Sequence, residues 1–194
     1  VLSATGGTTG APKGVMNTHR STQTFCAHFM ASCHYGADEK PVNLAVAPIT
    51  HTAGLLSLPC TARGGTVIAN SDEFTKRNLA KVDYAANPLE TGELSDYVVH
   101  SVPMTTLTLG AVESIGASKK DGERAKNMFA LGLLSWMYGR PVTTSEEFVR
   151  EKFARKPEIA EANVLALRAG WNYGETTEAF GTTYEVAPAK LEPG

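Results

Sequence analysis

The chain has 194 residues, of which 42% are apolar and 20% charged, and a formal net charge of −2. That composition belongs to one globular domain, or two small ones, able to bury a core. It carries no basic field of the kind nucleic-acid binding needs, and no run of 18 apolar residues that would make a transmembrane helix.

In chain order, residues 1–4 read as the end of a strand. They lead into Thr5-Gly6-Gly7-Thr8-Thr9-Gly10-Ala11-Pro12-Lys13-Gly14, a loop of small residues holding one lysine. A helix is expected over about 18–33, because Thr18 can cap it and residues 21–30 contain no breaker. Residues 42–47 form a short apolar strand before Pro48, and residues 49–56 a turn into a second helix. Gly64-Gly65 punctuates the chain, and Thr66-Val67-Ile68-Ala69-Asn70 reads as a buried strand. Further on, 97–102 is a strand stopped by Pro103. Ser118-Lys119-Lys120-Asp121 has the form of a capping box, opening a helix that runs to about Tyr138 and stops at Gly139. The apolar residues of this helix point in several directions, which predicts deep burial. Thr144 or Ser145 is expected to cap a helix to Lys156. Pro157 suits the first turn of another reaching about Tyr173, and 182–186 is a final strand. The sum is α/β.

The averages conceal a break. Residues 1–63 hold four Lys or Arg and two Asp or Glu, whereas residues 64–194 hold fourteen and eighteen, so the charged share rises from about a tenth to about a quarter. All three cysteines (Cys26, Cys33, Cys60) and four of the five histidines lie in the first part. The interval between Cys26 and Cys33 fits no common zinc or redox motif. The surrounding Phe25-Cys26-Ala27-His28-Phe29-Met30 reads as a helix packed on a core, with cysteine as a small apolar residue. No metal site is expected. Unpaired thiols and a start inside a Gly/Thr run, with no leader, point to a reducing cytoplasm.

The glycine-rich loop has chemistry suited to phosphates. Glycines let successive backbone N–H groups turn toward an anion, the hydroxyls of Thr5, Thr8 and Thr9 can donate to oxygens, and Lys13 can neutralise charge. The spacing of a Walker loop is absent, and on chemistry alone a surface turn is an equal reading. In residue order, however, Thr5 to Val15 resembles the phosphate-binding signature of the adenylate-forming enzymes, the superfamily of acyl-CoA synthetases, with Gly6 in place of the usual serine. Pro48-Ile49-Thr50-His51-Thr52-Ala53-Gly54-Leu55 resembles the next motif of that family. The resemblance implies that Thr5, Gly6, Gly7, Thr8, Thr9, Gly10 and Lys13 hold the phosphates of ATP with Mg, and that His51 lies beside the acyl pocket. The ribose-binding aspartate, the C-terminal catalytic lysine and the adenine-site motif are not found. Tyr173-Gly174-Glu175-Thr176-Thr177-Glu178 is only superficially similar to the last of these.

From Gly64 onward the chain resembles a different family, the 2-oxoacid:ferredoxin oxidoreductases, through the γ-type region of the α chain of their 2-oxoglutarate-specific members. The resemblance rests on Gly65 to Leu79, Val102-Pro103-Met104-Thr105-Thr106-Leu107-Thr108, Glu123 to Gly132, Trp136-Met137-Tyr138-Gly139-Arg140-Pro141, Lys156 to Asn163, and Tyr184 to Gly194. It implies oxidative decarboxylation of a 2-oxoacid with coenzyme A, giving acyl-CoA, CO2 and reduced ferredoxin. Thiamine diphosphate and an iron–sulfur cluster are then held with partner chains, and a β subunit and ferredoxin are the partners. No catalytic residue transfers. Asn127, Trp136, Tyr138 and Arg140 are expected to serve packing or subunit contacts, since buried aromatics usually do.

The expected organisation is two incomplete α/β segments, an adenylate-forming fragment at 1–63 and a truncated, Rossmann-like γ-type region at 64–194. They meet near Arg63-Gly64-Gly65-Thr66-Val67, where both families place a turn before a strand. Marginal folding is expected of residues 1–63. Three functions are open: an oxidoreductase subunit inactive alone, an ATP-dependent acyl-CoA ligase fragment, and a non-catalytic chimeric or assembly module.

Overall fold

In the computed structural model the described residues are 2–5, 13–33, 35–46, 52–81, 83–96, 98–177, 180 and 183–184. The chain divides into two units, residues 1–69 with 88–99, and residues 70–87 with 100–194.

The first unit starts with an antiparallel hairpin, β1 (Leu2–Thr5) against β2 (Lys13–Met16), in register from Leu2↔Met16 to Thr5↔Lys13. Helix α1 (His19–Ser32) follows, and Thr18 caps it as expected: its extended backbone lets Oγ1 accept from Ser21 N at 3.0 Å. The helix ends where Cys33 N donates to Phe29 O. Its expected packing on a core is not found. None of its residues is buried, Cys33 is exposed, and Phe25 and Phe29 meet each other with ring centroids 6.0 Å apart. With Arg20, Ser21, Thr22, Gln23 and Thr24 along its first turns, α1 has no continuous apolar stripe to bury.

Strand β3 (Val42–Ala45) pairs in parallel with β4 (Thr66–Asn70), Val42↔Thr66 through Ala45↔Ala69, and α2 (Thr52–Ala62) lies between them in sequence. Of the strand expected over 42–47, Val42–Ala45 is found, Val46 lies outside it, and Ala47 is outside the described residues. Parallel strands need such a crossover because a tight turn cannot join them. Cys60 of α2 is buried, its Sγ 3.1 Å from Pro41 O and 3.3 Å from Thr66 O, so it behaves as a small core residue with a weak donor. Gly65 is fixed by sterics, since a Cβ there would stand 2.3 Å from Pro41 O and 2.7 Å from Cys60 Sγ. Arg63 secures the turn before β3: its Nη2 donates to Gly36 O at 2.6 Å and Ala37 O at 3.1 Å, and its guanidinium stands 5.7 Å from the Tyr35 ring centre.

The second unit is mostly helical. It contains α3 (Lys76–Ala80), the last three residues of β5 (Val99–Val102), α4 (Met104–Val112), α5 (Lys119–Met137), α6 (Thr143–Lys152) and α7 (Pro157–Thr177). The capping box is present, with Ser118 Oγ accepting from Asp121 N and donating to Asp121 Oδ2. Gly139 sits at φ 58°, the left-handed conformation that ends helices cheaply only at glycine.

The core of this unit is the contact of α5 with α7. Phe129, Leu133 and Met137 from α5 meet Val164, Ala166 and Leu167 from α7, all buried. Glycines let the two backbones approach. A Cβ on Gly132 would lie 1.9 Å from Leu167 O, and one on Gly170 would lie 1.8 Å from Phe129 O. Each interior glycine costs about 1 kcal/mol of helix propensity relative to alanine. Complete burial of a leucine such as Leu133 or Leu167, at 0% exposure, returns roughly 1.5–3 kcal/mol. Close approach therefore wins. Burial of α5 is nonetheless one-sided rather than all round: Leu131 is 38% exposed, and Leu134 and Trp136 are half-buried.

Two further helix boundaries differ from expectation. Helix α6 begins at Thr143, with Val142 before it and no side-chain cap, so Thr144 and Ser145 lie inside the helix. It stops at Lys152, short of the expected Lys156, and residues 153–155 form turns before α7 opens at Pro157. Helix α7 continues past Tyr173 to Thr177, where Thr176 and Thr177 return their hydroxyls to Asn172 O and Tyr173 O, each at 2.7 Å. Of the strand expected at 182–186 only Thr183 and Tyr184 are described, and neither lies in a strand.

Candidate functional site

The glycine-rich loop joins β1 to β2, and the pairing Thr5↔Lys13 sets the two ends of the loop side by side at the mouth of the hairpin. Thr5 ends one strand and Lys13 opens the other. Gly6, Gly7, Thr8, Thr9 and Gly10 lie outside the described residues, as does His51, which immediately precedes the first residue of α2. The hairpin thus brings together in backbone two of the eight residues expected at the site. That placement suits a phosphate loop, whose single lysine must stand close to where the chain turns.

Sequence reasoning missed a second constellation, at the C-terminal end of β4. Asn70, 2% exposed, accepts at Oδ1 from Met104 N at 3.1 Å and Asp72 N at 3.4 Å, and donates through Nδ2 to Thr105 Oγ1 at 3.2 Å. The Asp72 carboxylate accepts from Thr106 N and Thr106 Oγ1, both at 2.8 Å. Beside it, Lys126 Nζ and Glu73 Oε1 pair at 2.8 Å, both largely covered. These contacts satisfy donors that the first turn of α4 would otherwise leave open. Asp72 supplies the negative charge that a helix N-terminus favours. The arrangement is a structural clasp with its hydrogen-bonding capacity used internally. Its signal in the sequence was the string of cap-forming residues Asn70-Ser71-Asp72-Glu73 directly after an apolar strand.

The residues expected to serve packing divide into two kinds. Trp136 lies where a Cβ on Gly174 would come within 2.5 Å of its ring, and its centroid is 6.1 Å from that of Phe180. Tyr138 stacks on Tyr184 at 5.3 Å. Asn127 and Arg140 are exposed. His100 lies 4.8 Å from the Phe180 ring, and burial pushes its pKa below the ordinary histidine value. Tyr173 and Gly174 are packing residues of α7 against Phe129 and Trp136, which accounts for their place in the chain without a nucleotide. Among the described residues no three His, Cys, Asp or Glu side chains are grouped as a metal would need, and no helix is long and apolar enough to cross a membrane.

Comparison with known proteins finds both resemblances. The family model described as AMP-binding enzyme matches residues 1–86. The 2-oxoglutarate oxidoreductase subunit KorA of Mycobacterium tuberculosis is 74% identical over 157 residues, 81% of this chain and 24% of that protein. Feruloyl-CoA synthases of an Amycolatopsis and a Streptomyces species are each 38% identical over 73 residues, 37% of this chain and 14% of theirs. The chain therefore spans about a quarter of the oxidoreductase subunit and a seventh of the ligases. No solved structure matches it. A run of 157 residues in a chain of 194 necessarily includes residues 38–157, so the match to the oxidoreductase subunit and the AMP-binding match both take in β3, α2 and β4.

Proposed function

We propose that this chain is part of the α subunit of a 2-oxoglutarate:ferredoxin oxidoreductase, working in the cytoplasm and inactive alone. The observation that carries the reading is the 74% identity over 81% of the chain to a 2-oxoglutarate oxidoreductase subunit. The reaction is oxidative decarboxylation of the 2-oxoacid with coenzyme A to acyl-CoA and CO2, with ferredoxin reduced. Thiamine diphosphate, held with partner chains, supplies the carbanion stabilisation that decarboxylation needs. By the same resemblance an iron–sulfur cluster, too, is held with partner chains. What this chain contributes is a packed helical body, α5 on α7.

A second reading is supported by the AMP-binding match and by the hairpin that sets Lys13 opposite Thr5. In it residues 1–63 are a fragment of an ATP-dependent acyl-CoA ligase, with Thr5, Gly6, Gly7, Thr8, Thr9, Gly10 and Lys13 at the phosphates of Mg-bound ATP and His51 at the acyl group. In this reading the chain joins two sequences near Arg63, although the oxidoreductase match also takes in residues 38–63. The change of charge density at that point supports the join. Long reads across the codons for Cys60 to Ile68 test it: two separate genes and no joined one would remove the fusion.

The activity test uses the full chain. Ferredoxin reduction dependent on 2-oxoglutarate and coenzyme A, appearing only when a thiamine-binding β subunit is added, is the expected result. Acyl-dependent pyrophosphate exchange that disappears in Lys13→Ala would instead establish the ligase. Silence in both assays, with retention of a partner in pull-down, would reduce the chain to a non-catalytic assembly module.

A further inference from the structure

We draw no further inference here: the strongest candidate, the uncharged outer face of α2 where Leu55, Leu56 and Leu58 stay about 40% exposed, is an apolar surface for which nothing in the structure shows what covers it.

Discussion

Helices α1 and α5 both begin with a hydroxyl cap three residues before the amide it satisfies, yet one buries nothing and the other buries seven residues. The caps are equivalent in kind: Thr18 to Ser21 N, Ser118 to Asp121 N. The difference lies in what each helix meets. α5 carries small residues at the points where α7 crosses it, so its backbone can approach and its large side chains interlock. α1 offers polar side chains in its early turns and a phenylalanine pair that satisfies itself. A cap decides where a helix starts; a complementary partner decides whether it is held there.

Native-state hydrogen exchange tests that contrast most directly. Amides of α5 and α7 are expected to exchange only through opening of the second unit as a whole. Those of α1 should exchange through local openings several kcal/mol cheaper, given that opening energies run from near zero up to the global value. Equal protection in α1 and α5 would break the comparison, and with it the expectation that residues 1–63 fold marginally.

The next largest effect is predicted at the helix crossing. Gly170→Ala or Gly132→Ala puts a methyl within 2 Å of a backbone carbonyl, which no rotamer change relieves. A loss of about 3 kcal/mol is expected in urea or thermal unfolding, at the upper end for overpacked sites. Gly110→Ala in α4, where nothing lies within 4 Å of the added Cβ, should instead stabilise by roughly 0.5–1 kcal/mol. The same measurement on all three variants separates contact from propensity.

Asn70→Ala should cost about 1–3 kcal/mol by orphaning buried Met104 N, while Asn70→Asp, which keeps an acceptor, should cost less. If both variants unfold at the wild-type urea concentration, the clasp of Asn70 on the first turn of α4 carries no stability.

The smallest effect is electrostatic. Arg168 donates to both oxygens of Glu146, at 2.7 and 2.6 Å, and holds that carboxyl below the usual glutamate range, against the opposing effect of burial. A depressed carboxylate pKa stabilises the fold above the unfolded value, and that contribution is lost as pH falls through the folded one. Because Arg168 is half exposed, the contribution should be under about 1 kcal/mol. Glu146→Gln should therefore lose a small acid-range slope in stability and change little at neutral pH. An unchanged slope would show the pair to be idle.

Local rules read the chain well where the local signal was also the global one. Thr18, Ser118, Gly139 and Pro157 were legible because a cap, a left-handed stop and a first-turn proline act within one turn of themselves. Strand β4 was legible from five residues because an apolar run between Gly65 and Asn70 leaves few alternatives. The reading failed where distant contacts decided. The helix expected to reach about Tyr173 runs on to Thr177, and Gly174 within it is the gap into which Trp136 packs. The apolar positions of α5 indicated burial, but the side left uncovered at Leu131 depended on where α7 lies. Of the candidate site, residue order made the loop and its lysine visible. The clasp on Asn70 was not, because its partners stand 34 and 35 residues away.

The Gly64-Gly65 turn bears on how this chain could be divided. Thr66 N donates to Pro41 O at 2.9 Å, Gly65 N to Cys60 O at 2.9 Å, and the space a Gly65 side chain would need is taken by residues 41 and 60. Trimming the polypeptide just before Gly64 would strip β4 of β3, its parallel neighbour, and leave a row of backbone donors and acceptors facing water. Such a remnant invites strand-to-strand association between molecules. A well-behaved version of the segment from Gly64 onward should therefore begin upstream of β3.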